Sequence, residues 1–220
     1  MTRTFRWQKI DETTLADHTT LTSNDNCIFI GHYNAGDGYD ENTDLAINST
    51  IHNLKILDTQ HHRVPHKLRA VAWCKRALMA LNADWAKTVT WVPIPPSKTK
   101  DDEAYNPKMS QVLEAFDNER DIDFRELVFQ TVSTNTSHGG EVRLSVDDLL
   151  EVYSIDENLV DPEPTRIILF DDVLSTGNHF RAMQRCINSR FPACTVEGVF
   201  IARRIPKKID PFTGFDDLDF

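Results

Sequence analysis

The chain has 220 residues and a mass of 25.2 kDa, with 40% hydrophobic and 26% charged residues, a balance that suits one globular domain with extensions. Lys plus Arg is 24 against 34 Asp plus Glu, a net charge of −10, which argues against direct non-specific nucleic-acid binding by this chain alone, since such binding rests on neutralising phosphates. No stretch approaches the ~18 consecutive apolar residues of a membrane span, and Met1-Thr2-Arg3-Thr4-Phe5-Arg6-Trp7 lacks the apolar run of a secretory signal.

Residues 1–25 are polar and show no clear period. Cys27 to Tyr33 reads as a strand, and Asn34-Ala35-Gly36-Asp37-Gly38-Tyr39-Asp40 as turn chemistry. A helix is expected over about 44–57, with Ala46, Ile47, Ile51 and Leu54 on one face. A second follows over about 65–82, opened by Pro65 and burying Leu68, Val71, Cys74, Leu78 and Leu81. Thr88 to Val92 is a strand, stopped by Pro93, Pro95 and Pro96. The next helix, about 108–118, turns Met109, Val112, Leu113 and Phe116 inward, and 124–132 reads as a strand. Ser133 to Arg143 is a loop with a Gly-Gly pair, and Ser145 caps a short helix to about Tyr153. Ile167-Ile168-Leu169-Phe170 suits a strand buried on both faces of a parallel sheet. A helix to about Arg190 and a strand over 195–204 complete the pattern. The alternation predicts an α/β fold, a mainly parallel twisted sheet flanked by helices. The expected divisions are an N-terminal helical hood over 1–85, a core over 86–204 and an acidic, Phe-containing tail over 205–220.

The four cysteines, Cys27, Cys74, Cys186 and Cys194, form no CxxC pair and therefore no zinc ribbon. Free thiols and a cytoplasmic location are the expectation. The histidines of His61-His62-Arg63-Val64-Pro65-His66 are read as surface residues, because Pro65 interrupts the helical geometry a metal pair needs. Arg203-Arg204 either reaches phosphate at the sheet edge or caps a solvated strand end.

The stretch Phe170-Asp171-Asp172-Val173-Leu174-Ser175-Thr176-Gly177-Asn178-His179 carries the chemistry. A buried strand delivers two carboxylates to its C-terminal end, the edge where open α/β sheets bind ligands. The chain then turns over small and hydroxylated residues into a helix N-terminus, which favours phosphate. Carboxylates aimed at that phosphate would repel it. They must face sugar hydroxyls or a divalent cation. Together these features describe a ribose 5-phosphate site.

Residues 167–177 resemble the phosphoribosyl-pyrophosphate motif of the type I phosphoribosyltransferases. Val92-Pro93-Ile94-Pro95-Pro96-Ser97-Lys98, followed by Tyr105-Asn106, looks most like the ComF-like branch. His138-Gly139-Gly140-Glu141-Val142-Arg143 sits where that family has a mobile loop. The resemblance implies a Mg²⁺-dependent pentosyltransferase acting on an unknown acceptor. Asp171 and Asp172 would hold the ribose hydroxyls and are candidate Mg²⁺ ligands. Leu174, Ser175, Thr176, Gly177, Asn178 and His179 would hold the 5-phosphate, with Val173 in the same phosphoribosyl-pyrophosphate-binding stretch; Ser97 and Lys98 would border pyrophosphate, and Arg143 would reach the leaving group. The chain departs from the family at His179, where a Thr or Ser is usual. It departs again at Lys98 and Lys100, which Asp101, Asp102 and Glu103 follow closely. The alternative is a non-catalytic nucleotide-binding regulator or effector, a role the superfamily also fills in bacterial antiphage defence. Phe212, Phe215 and Phe220 in the acidic tail, and the lack of a base-reading set, suggest a partner subunit or a second copy.

Overall fold

The computed structural model describes residues 5–34, 45–134 and 144–206. Its strands are β1 (Gln8–Lys9), β2 (Cys27–Tyr33), β3 (Thr90–Pro93), β4 (Asp123–Phe124), β5 (Val128–Gln130), β6 (Tyr153–Ile155), β7 (Arg166–Leu174) and β8 (Thr195–Arg204). Its helices are α1 (Leu45–Leu54), α2 (Val64–Leu78), α3 (Ala83–Ala86), α4 (Lys108–Arg120), α5 (Val146–Val152) and α6 (Asn178–Arg190). One sheet has the order β1-β2-β8-β7-β3-β4. All its pairings are parallel except β1 with β2. β5 and β6 pair antiparallel in a small second sheet.

The centre is β7, whose Ile167, Ile168, Leu169 and Phe170 are all buried. Ile167 and Leu169 pack with α5 and α6 on one face; Ile168 and Phe170 pack with α2 and α4 on the other. This is why four apolar residues run together: a strand covered on both sides has no polar face. Each such side chain contributes about 1.5–3 kcal/mol through burial. The α/β class with a mostly parallel sheet between helices is therefore present. Ser145 caps α5 through a reciprocal bond with Asp148. Among the described residues, no helix is long and apolar enough to cross a membrane.

Four expectations need correction. The break at residue 85 does not separate a hood from a core, because β2 pairs with β8 from Cys27↔Gly198 to Tyr33↔Arg204. Leu54 of α1 and Val71, Cys74 and Leu78 of α2 also share one core with α4 and β7. The strand expected over 124–132 is two strands in different sheets. Arg125 turns the chain between them, bonding Asp123 at 2.7 Å and the carbonyls of Leu159 and Pro162 at 2.9 and 2.7 Å. In α2 the buried stripe includes Lys67, and Leu68 is 62% exposed. The ammonium of Lys67 tolerates burial because it donates to Asp58 and to Asn106, each at 2.9 Å. Finally, β6 was not expected at all; it begins where α5 ends, at Tyr153. Residues 35–44 and 207–220, including the three tail phenylalanines, lie outside the described residues.

Candidate functional site

A cavity of about 560 Å³ opens at the C-terminal ends of β3 and β7, the ligand-binding edge of a parallel sheet. One wall is the segment after β3, Ile94 to Lys98; the floor is Asp171, Asp172 and Val173. The start of α4 and the residues leading into α6 close the sides, and Lys55 and Leu57 beyond α1 complete the rim. The amide of Ile94 donates to the carbonyl of Phe170 at 2.9 Å, which carries the β3–β7 register up to the acids.

The acidic pair is held asymmetrically. The Asp172 amide donates to the carboxylate of Asp171 at 2.8 Å. The Asp172 carboxylate faces the ammonium of Lys108, the first residue of α4, in a mostly buried ion pair. Burial opposes the charge of Asp172, but Lys108 more than offsets it and holds that carboxyl below the ordinary aspartate range. Among the described residues Asp171 makes no such ion pair, and Lys108 offsets its burial only in part. Burial, then the neighbouring Asp172 charge, push it up to about 8. Asp171 is therefore the weaker acid of the two. Burial works against Lys108 as well, but the two aspartates keep it protonated.

Beyond β7 the chain passes through Ser175 and Thr176 to Gly177, which sits at φ 90° ahead of α6. The N-terminal segment grips this turn from outside the pocket. His18 Nδ1 bonds the carbonyl of Ser175. The Thr20 amide and hydroxyl both donate to the carbonyl of Thr176, at 3.1 and 2.9 Å. In a trans peptide the N–H points opposite to the carbonyl before it. The amides of Thr176 and Gly177 therefore point away from His18 and Thr20. Neither donates to a backbone carbonyl among the described residues. With Ser175 and Thr176 lining the cavity, two such amides ahead of a helix are an arrangement that can hold an anion.

His179 lies on the same wall and is exposed in the cavity. Desolvation, then the nearby Lys108 charge, lower its affinity for protons. Its Nδ1 shares a 2.7 Å hydrogen bond with the Tyr153 hydroxyl, which orients it. Asn178 lines the cavity and donates to the carbonyl of Leu144 at 2.8 Å.

Of the residues singled out by sequence, Ser97, Lys98, Asp171, Asp172, Val173, Ser175, Thr176, Asn178 and His179 meet around this cavity. Gly177 shapes its turn. Leu174 is buried in the core beside α6 and does not line the cavity. Arg143 and His138 lie outside the described residues. Arg203 turns elsewhere: it bonds Asp17 at 2.6 Å and stacks over Phe29 at 5.6 Å. Lys98 is 3.9 Å from Asp102, and Lys100 bonds Glu126 at 2.6 Å, so both basic residues after Pro96 have acidic neighbours.

Sequence reasoning missed Lys108, Lys55, His18 and Thr20. Lys108 left a faint signal, since a lysine opening a helix opposes the helix dipole and implies an acidic partner. His18 and Thr20 left none, being over 150 residues from the turn they hold.

Asp171 and Asp172 do not fit a directly ligated Mg²⁺. Asp172 already has an ammonium against its carboxylate, and the Asp171 carboxylate accepts from the Asp172 amide. Among the described residues, no three His, Cys, Asp or Glu side chains gather as a metal site. No protein-family model matches the chain, and no curated protein matches it.

Proposed function

We propose that this cavity binds a phosphoribosyl group, as phosphoribosyl pyrophosphate or a nucleotide 5-phosphate, and that the protein is a phosphoribosyltransferase-like enzyme of the type I fold. The observation that carries the reading is the turn at Ser175 to Gly177. Its carbonyls are drawn back by His18 and Thr20, leaving amides and hydroxyls for an anion. Asp171 and Asp172 lie on the floor beside this cradle, where sugar hydroxyls rather than phosphate would meet them. The cavity wall also carries Lys55, Lys98 and Lys108 beside Asp171 and Asp172, and such cations favour a small anion even in an acidic chain.

In this reading the 5-phosphate rests on the turn, and Asp171 and Asp172 meet the ribose hydroxyls. Displacement at ribose C1 passes through an oxocarbenium-like state. The residues present would contribute mainly by orienting the sugar and placing charge. Mg²⁺ carried on the pyrophosphate would supply charge neutralisation on the leaving group.

Isothermal titration with ribose 5-phosphate and with AMP tests the reading. Wild type should bind, and Thr176→Ala and Asp172→Asn should each weaken binding about tenfold or more, from ~1.5–3 kcal/mol for a charge-assisted bond. Equal affinity in all three proteins would sink the assignment. The pairing of Lys98 and Lys100 with acids favours a second reading, a nucleotide-binding regulator or effector without turnover. It predicts binding without pyrophosphate release in the presence of any base.

A further inference from the structure

Lys108 is placed against two physical preferences. It opens α4, whose first turn holds no acidic residue, although the positive end of a helix dipole disfavours a cation. Its side chain is also only 19% exposed, and burying an ammonium is costly unless it is paired. The compensation is Asp172, 9% exposed, whose carboxylate takes the ammonium directly. The segment before Lys108 is itself anchored. Asn106 accepts from buried Lys67 at 2.9 Å and donates to the carbonyl of Leu54 at 3.1 Å. Pro107 then leads into the helix. The ammonium is thus set in position from two sides, on the cavity wall beside the floor where a sugar would lie. A strongly hydrated divalent ion dehydrates reluctantly and needs free carboxylate oxygens. It would have to displace a fixed cation from Asp172.

We propose that Lys108 is the built-in counter-cation of the acidic pair, so that this pocket takes an anionic sugar phosphate without a divalent metal on its carboxylates. The proposal rests on the phosphoribosyl reading only for its ligand.

Two measurements separate the proposal from that reading. The first uses no sugar. Mn²⁺ is titrated into the full chain and followed by electron paramagnetic resonance, for wild type and Asp172→Asn. Identical free Mn²⁺ in the two is expected. A bound ion present in wild type and lost in Asp172→Asn overturns the proposal, whatever the pocket binds. The second is calorimetry with ribose 5-phosphate, in EDTA and in millimolar Mg²⁺. Wild-type affinity should agree within twofold between the two conditions, and Lys108→Met should bind at least tenfold more weakly in EDTA. Wild-type binding that falls tenfold on adding EDTA overturns the proposal, as does unchanged binding by a folded Lys108→Met. If that variant does not fold, the wild-type comparison still decides. Should wild type bind no ribose 5-phosphate in either condition while the Mn²⁺ result holds, the ligand reading fails and the metal-free acidic pair stands.

Discussion

Asp171 and Asp172 are neighbours of identical chemistry with opposite behaviour, and the difference is one lysine. Asp172 has Lys108, which holds its carboxyl low; Asp171 has burial and a like charge, which push it up to about 8. The pH consequence has a definite sign. A carboxyl raised from 3.8 to about 8 contributes its stability fully below the unfolded value and loses it as pH rises toward the folded one. Asp172, shifted downward, contributes above the ordinary aspartate range and loses its share only in acid. Wild type should therefore lose more thermal stability between pH 5 and pH 8 than Asp171→Asn, which cannot ionise there. Parallel melting curves for the two proteins across that range would show that Asp171 is ionised already at pH 5.

At the scale of elements, the anion cradle depends on one backbone conformation. Gly177 has φ 90°, and a Cβ there would lie 2.8 Å from the Thr20 hydroxyl and 3.1 Å from the Leu21 side chain. An alanine meets both strain in the left-handed region and a contact with the segment that holds the turn. Gly177→Ala should lose about 1–3 kcal/mol in urea unfolding and weaken ribose 5-phosphate binding as well, since the amides of the turn would shift. A variant of wild-type stability and affinity would mean that the turn relaxes without moving its amides. The opposite side of the cavity depends on α2, where buried Lys67 ties Asn106 and so the approach to α4.

At the scale of the molecule, the N-terminal third is built into the sheet rather than laid over it. β2 covers one side of β8 along six paired positions. Gly198 on β8 leaves so little space that a Cβ would sit 2.9 Å from the Cys27 sulfur of β2. The same third supplies His18 and Thr20 to the cradle and α2 to the core. A chain of residues 86–220 would expose the long edge of β8 and the apolar face that α2 covers. It should fail to give a cooperative melting transition and should aggregate on size-exclusion chromatography. A monomeric, cooperatively melting fragment would restore the view of 1–85 as a separate hood.

The sequence alone determined what local periodicity and composition can encode. Ile167 to Phe170 named a doubly covered strand, Ser145 named a helix start, and two acids before Ser-Thr-Gly pointed to a candidate site at the end of that strand. These are properties of residues a few positions apart, read through the 3.6 and 2.0 periods of backbone geometry. The tertiary structure decided everything that needed residues far apart to meet. Leu68 and Lys67 could not be ranked for burial until Asp58 and Asn106 were seen to receive the ammonium. The single run over 124–132 looked continuous until Arg125 found carbonyls beyond residue 158. The roles of the two aspartates were equal in sequence, and only the fold, by bringing Lys108 across 64 positions to one of them, set which carboxyl is held low and which is pushed up. The reason is physical: burial and Coulomb energy depend on distance through space, and sequence spacing predicts that distance only within one element.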